Sequence, residues 1–254
     1  MADGSAGVGA TLRAGLSDVT SAARDCWGAL AFAVVLTVAA GVLPPGARFV
    51  AALLAGVIAQ GALFRRAFGR QAGLKGLRWG RDEWRLLAAQ LMILALMLLI
   101  GAILMVIVGG VALGVARTAA PSFDAGSTAG WKAAFASAGP AGFVVALAPL
   151  ASLAILVWLG LRLSLSAPAT VEQSGVRVLS AFPLTRGRVP ALLVIGLAIA
   201  VPVALLSMVL SLAPGQGLAM AAVLAVCTYF YAMPAWTGSL AHFYRHGAAS
   251  QDHP

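Results

Sequence analysis

The chain has 254 residues, of which 61% are hydrophobic and only 10% charged, with a mean hydropathy of +0.95. Soluble domains carry about a quarter charged residues, so this composition excludes a soluble globular protein; apolar runs leave no stretch over about 35 residues for a separate catalytic domain. The net charge of +9 is read through its placement, because basic residues in multispan chains report topology rather than nucleic-acid binding.

Residues 1–26 form the first element. Leu12, Leu16, Val19, Ala23 and Trp27 recur at spacings of three and four, with Arg13, Ser17, Asp18, Arg24 and Asp25 elsewhere on the wheel. This pattern predicts an amphipathic helix that either lies along the inner leaflet or packs against the ends of the spans. Residues 27–245 then hold six apolar stretches, each about the 20 residues that cross a bilayer as a helix. The first runs from about Trp27 to Leu43 and the second from about Phe49 to Phe64, joined by the tight Pro44-Pro45-Gly46 turn. Val38-Ala39-Ala40 loosely resembles a signal-peptide cleavage site, but a 26-residue polar segment precedes the run and a second span follows at once.

The third stretch, about Trp84 to Ala116, is long enough to need tilt or a break, for which Gly109-Gly110 is the obvious place. The connection after it, from about Arg117 to Ala138, contains Pro121, Asp124, Gly126, Ser127 and Gly130 and predicts a loop with one helical turn near Trp131. Spans four to six cover about Gly142 to Ser164, Pro190 to Leu212 and Gly217 to Phe243, and each carries an internal proline, Pro149, Pro202 and Pro234, that should bend it. Residues 246–254 are a short tail. The expected fold is therefore all-α: a polytopic bundle of six transmembrane helices preceded by an interfacial helix.

With the N-terminus inside, fourteen of the 17 Lys and Arg fall on the inner side and only Arg48, Arg117 and Lys132 on the outer. The positive-inside rule then places both termini in the cytoplasm, in agreement with the even span count.

Proton relays, metal ligands and counter-ions require ionisable groups at depth. The eight acids, Asp3, Asp18, Asp25, Asp82, Glu83, Asp124, Glu172 and Asp252, all sit in connections or tails. His242 and His246 share a helix face without a nearby carboxylate or Cys, which fits an interfacial helix end better than a metal site. Cys26 and Cys227 lie in apolar surroundings and read as packing residues. Thr37, Gln60, Gln90, Ser152, Ser207, Ser211, Thr228 and Tyr229 enter the spans as helix contacts. No cofactor, metal or catalytic group is expected.

Two segments between spans stand out. In Gly76-Leu77-Arg78-Trp79-Gly80-Arg81-Asp82-Glu83-Trp84-Arg85-Leu86, Asp82 and Glu83 suit the N-terminus of span three, while the tryptophans sit at headgroup level and Arg78, Arg81 and Arg85 face phosphates. The other joins Arg162-Leu163-Ser164-Leu165-Ser166-Ala167-Pro168 to Leu184-Thr185-Arg186-Gly187-Arg188, with Thr185 as a helix cap before Pro190.

These runs, R-L-S-L-x-x-P, L-T-R-G-R and G-x-D-E-x-R-L-L, resemble a family of bacterial six-span inner-membrane proteins grouped with the membrane domain of some glycerophosphodiester phosphodiesterases. The resemblance implies a helical domain of the bacterial inner membrane and no hydrolase activity, since catalysis in fused members belongs to a separate barrel. Two functions follow. One is a non-enzymatic membrane protein whose cytoplasmic rim, Arg162, Arg186, Arg188, Arg78 and Arg85, binds anionic lipid or a partner, with Asp82 and Glu83 pairing some of Arg162, Arg186 and Arg188. The other is a transporter of small molecules or lipid that uses the Pro-bent spans four to six. A homo-oligomer or a membrane-protein partner is compatible with either, and nucleic acid with neither.

Overall fold

The computed structural model describes residues 7–70, 74–176, 178, 182–212 and 217–249. Its elements, in order, are α1 (Val8–Asp25), α2 (Trp27–Ala39), α3 (Pro45–Ala67), α4 (Arg81–Ala119), α5 (Thr128–Ser137), α6 (Pro140–Leu163), α7 (Ser166–Glu172), α8 (Val189–Ser211), α9 (Gly217–Cys227) and α10 (Met233–Ala249). Five helices or helix runs are long and apolar enough to cross a membrane, and a sixth qualifies if α1 and the α2 segment, bent by 88°, count as one. The chain is an all-α, multi-pass membrane protein. It divides into two compact units, one formed by residues 1–91 and 161–254 and the other by residues 92–160.

The first expected span, about Trp27 to Leu43, is helical from Trp27 to Val42 with its last turn tightened. α2 ends at Ala39 in a 3-10 turn, Ala40–Val42, so the pair reaches only about 25 Å against a hydrocarbon core of about 30 Å. The helix stops because Leu43 precedes Pro44 and takes an extended conformation. Arg48 donates to the freed carbonyls of Gly41 (2.7 Å) and Leu43 (3.4 Å). Pro45 then opens α3 at a position where its missing N–H costs nothing.

Packing in the larger unit rests on small residues. Ala22, Cys26, Ala29, Ala33, Ala55, Ala59 and Ala62 are all buried where α1, α2 and α3 meet, with Tyr229 and Ala225 closing the cluster. Small side chains let helix backbones approach, which is how helices associate where lipid offers no hydrophobic gradient. A second cluster joins α3, α4, α7, α8 and α10 through Val57, Phe64, Leu86, Leu165, Leu192 and Phe243.

α1 uses three faces. Thr11, Gly15 and Ala22 are buried, and Gly15 crosses α10 so closely that a Cβ there would lie 2.5 Å from the Ala235 carbonyl oxygen. Val8, Leu12 and Val19 pack beside Ile195, Ile199 and Ala235. Leu16 remains exposed, as do Arg13 and Arg24, while Trp27, the last residue of the stripe, opens α2 beyond the 88° bend. The predicted apolar stripe is thus split between a docked half and an open half, so the helix packs on the spans and keeps an amphipathic outer surface.

The polar residues of the spans divide in two. Thr37 donates to the Tyr229 hydroxyl (3.0 Å) and Gln90 to the Gln60 carbonyl (2.7 Å), both between helices. Ser152, Ser207, Ser211 and Thr228 instead donate to carbonyls three or four residues back in their own helices. The last span is interrupted by a π turn, Thr228–Ala232, just before Pro234, where the helix must absorb a missing backbone donor.

In the smaller unit, α4 passes Gly109 and Gly110 without a break, so of the two options for a run of this length, tilt or a break, the break is not taken. Each glycine costs only about 1 kcal/mol in a helix, less than a backbone group left unpaired in lipid. The connection after α4 is also more ordered than its composition implied. α5 is a ten-residue helix whose cap, Ser127, accepts from the Gly130 N–H at 3.2 Å, and Trp131 meets the rings of Phe123 and Phe135 at 4.6 and 5.3 Å. At the other end of the chain, α10 continues through Ala249, so the expected tail begins later than residue 246; residues 250–254, like Arg177, lie outside the described residues.

Candidate functional site

The arginine-rich segments converge at one end of the larger unit. Arg70, following α3, donates to the carbonyls of Val171 and Glu172 at 3.1 Å each and to Ser174 Oγ at 3.3 Å. Gln173 donates to the Tyr244 hydroxyl (2.9 Å), and Arg245 donates to the Ala67 carbonyl. The connections after α3 and after α6, and the C-terminal end of α10, therefore lie on one face, as the alternation of spans requires.

At the centre lies a cleft of about 590 Å³ lined by Arg65, Arg78, Arg81, Arg85, Asp82, Glu83, Gly80 and Ser174. Its floor is an ion pair between Arg65 and Glu83, whose side chains are only 4% and 1% exposed. Local sequence explains how this pair is held. Glu83 is the third residue of α4 and reaches back to accept the Gly80 N–H at 2.8 Å, one half of a capping box. Arg65 donates to the Gly76 carbonyl at 3.0 Å. Gly76 has φ +80°, in the left-handed region that favours glycine, and a Cβ there would sit 3.2 Å from Ala62 and 3.3 Å from Cys26. Gly61 leaves the space the pair occupies, since a Cβ on it would fall 2.8 Å from Glu83 Oε1.

The rim of the cleft is basic and aromatic. Asp82 pairs with Arg85 at 3.4 Å. Arg78 folds over Gly80, its Nε 3.3 Å from where a Cβ would stand, and both Arg78 and Arg81 are exposed. Among the described residues neither has a carboxylate partner within 4 Å. Trp79 and Trp84 meet edge to face, 5.3 Å between centroids, and both are exposed beside these arginines.

Of the residues singled out in the sequence, Arg78, Arg85, Asp82 and Glu83 meet in this cleft, and Arg162, Arg186, Arg188 and Thr185 do not line it. Arg162 lies over the Phe182 ring (5.0 Å) and Arg188, at the N-cap of α8, over Phe243 (5.3 Å). Arg186 is exposed. Thr185 is not a cap for α8. It is buried in a 3-10 turn, Pro183–Thr185, and donates to the carbonyls of Phe182 (3.0 Å) and Arg162 (3.3 Å). Three residues intervene between Thr185 and the first residue of α8, so its hydroxyl cannot reach that helix's free N–H groups. The partners of the two acids are Arg65 and Arg85, rather than the arginines of spans four and five that the sequence reading paired with them.

Sequence reasoning counted Arg65 only as a topology signal. The one available clue was Gly61 four residues earlier, on the same helix face and inside an apolar run. It also missed Arg66, which forks between Asp18 and Asp25, donating at 2.8 Å to each, and so ties α1 to α3. A second cavity of about 550 Å³ opens beside this link, lined by Asp18, Asp25, Arg66, His242 and Arg245 among others. No group of three or more His, Cys, Asp or Glu among the described residues is placed to hold a metal ion. No known protein family, curated protein or solved structure matches the chain.

Proposed function

We propose that this chain is a non-enzymatic protein of the bacterial inner membrane whose arginine-rich end faces the cytoplasm and binds anionic lipid headgroups. The observation that carries the reading is the exposed Trp79–Trp84 pair set beside Arg78, Arg81 and Arg85 at the mouth of a basic cleft. Tryptophans concentrate at the membrane–water boundary, and arginines at that level meet lipid phosphates. The fourteen-to-three distribution of Lys and Arg supports the orientation. The acids fit a structural role: Glu83, Asp82, Asp18 and Asp25 are all engaged with arginines. The resemblance to membrane domains found beside phosphodiesterases, which implies a helical membrane domain alone, fits this reading.

The test is lipid retention after purification from mixed vesicles, read by native mass spectrometry. Each exposed arginine near an anionic surface contributes about 1 kcal/mol, so Arg78→Gln with Arg81→Gln should lower retention of phosphatidylglycerol over phosphatidylcholine more than tenfold. Unchanged retention in a variant that still inserts would overturn the reading.

A second reading, transport through the proline-bearing spans, draws on the π turn at Thr228–Ala232, since such turns are frequent at functional sites. It has less support, because Tyr229 is buried among alanines there and its hydroxyl is held by Thr37.

A further inference from the structure

The balance of charge in the cleft goes beyond a general attraction for anions. Four guanidiniums line it against two carboxylates. Glu83 neutralises Arg65 and Asp82 neutralises Arg85, so the site as a whole keeps two positive charges, matched in number by Arg78 and Arg81. A phosphodiester headgroup such as that of phosphatidylglycerol brings one negative charge and leaves the other cation uncompensated. A phosphate monoester brings about −1.5 to −2 at neutral pH and three strong acceptor oxygens.

We infer that the ligand of this cleft is a phosphate monoester gripped by Arg78 and Arg81. The inference rests on the anionic-headgroup reading and narrows it. Each guanidinium offers a planar fork that takes phosphate oxygens two at a time, and Arg78 and Arg81 both line the cleft. Ser174 adds a hydroxyl. Its Oγ accepts from Arg70, leaving its own O–H to donate, and its φ of +53° is unusual for a residue with a side chain. Arg65 stays out of direct grip because Glu83 holds it, and its place is to fix the floor. The volume of about 590 Å³ exceeds a bare phosphate and leaves room for the ester-linked group, within the range of small-molecule sites.

The same monoester can arrive on a lipid, as in phosphatidic acid, or on a soluble molecule. The experiment places the full-length protein in phosphatidylcholine nanodiscs carrying either phosphatidic acid or phosphatidylglycerol, at amounts giving equal total charge, and measures retained lipid by native mass spectrometry. A parallel arm adds glycerol 3-phosphate to protein in neutral nanodiscs. One further unit charge is worth about five-fold at a membrane surface, so phosphatidic acid should be retained about five-fold over phosphatidylglycerol. Arg78→Gln with Arg81→Gln should remove that preference, while Arg13→Gln with Arg24→Gln, on the exposed face of α1, should keep it. Preference for phosphatidic acid without binding of glycerol 3-phosphate supports a lipid ligand, and saturable binding of glycerol 3-phosphate supports a soluble one. Equal retention of the two lipids, without glycerol 3-phosphate binding, overturns the monoester assignment and leaves the anionic-lipid reading standing. Retention of neither above phosphatidylcholine overturns both.

Discussion

Glu83→Gln is the sharpest perturbation of the cleft. The amide keeps an oxygen able to accept the Gly80 N–H, so the cap survives and only the charge opposite Arg65 is lost. What remains is a guanidinium 4% exposed, held by the Gly76 carbonyl and lacking its counter-ion. Breaking a buried pair from one side costs about 3–5 kcal/mol, whereas replacing both members by apolar groups is often neutral or better. Glu83→Gln should therefore lose about 3–5 kcal/mol in SDS titration from a mild detergent, and Arg65→Met combined with Glu83→Leu should recover most of it. The double variant also gives up the bond from the Gly80 N–H, about 1 kcal/mol, so a recovery complete to within that amount still assigns the loss to the unpaired guanidinium. A loss below about 1 kcal/mol for Glu83→Gln, the value for exposed pairs, would refute the reasoning, since it would mean that water reaches the floor of the cleft.

Other substitutions report on the supports around it. Gly15→Leu should undock α1 from α10, because even a Cβ meets the Ala235 carbonyl at 2.5 Å; trypsin cleavage after Arg13 and Arg24 should accelerate at least tenfold (about 1.4 kcal/mol of docking), and an unchanged rate would show that the close crossing is not maintained. Gly76→Ala combines the left-handed conformation, about 1–2 kcal/mol, with crowding against Ala62 and Cys26, so a loss of about 2–4 kcal/mol is expected in the same titration. Thr185→Val removes a buried hydroxyl bonded to two carbonyls and should cost about 1–2 kcal/mol while leaving lipid retention at the cleft intact; a loss of retention instead would place Thr185 in the binding machinery.

The spans were legible because lipid imposes a simple rule on their length and polarity, and the charge count was legible because topology needs few residues. The cleft was half legible. Asp82 and Glu83 stood beside Arg78, Trp79 and Arg85 in one short run, so their proximity was local. Arg65 is distant in sequence and is brought in by the α3–α4 connection, whose tight path depends on Gly76 and on the gap at Gly61. No periodicity encodes such a contact. Thr185 shows the reverse error: Thr before Arg-Gly-Arg-Val-Pro reads as a cap, yet Gly187, with φ +73°, turns the chain and leaves the hydroxyl facing the end of α6. The stripe on α1 was half legible for a third reason. Hydrophobicity marked Leu12 and Val19, which pack beside Ile195, Ile199 and Ala235, while the buried face of Thr11, Gly15 and Ala22 carries little hydrophobic signal.

The excess of arginine at this end serves more than topology. Arg65, Arg66 and Arg85 are bound to carboxylates, Arg70 and Arg245 donate to backbone carbonyls near the ends of α7 and α3, and Arg162 and Arg188 lie over rings. Arginine suits these roles because its guanidinium is planar, stays charged and presents its N–H donors in a fixed fork, where lysine offers a compact ammonium; the described basic residues at this end are arginines, Lys75 excepted. The fixed arginines set the positions of α1, α3, α4, α7 and α8 around the cleft. Among the described residues Arg78 and Arg81 have no carboxylate within 4 Å, and they stand beside the exposed Trp79–Trp84 pair. Charge that only anchored a topology would not need two buried glycines and a desolvated ion pair beneath it. That supporting structure is the physical ground for proposing a ligand site here rather than a basic margin.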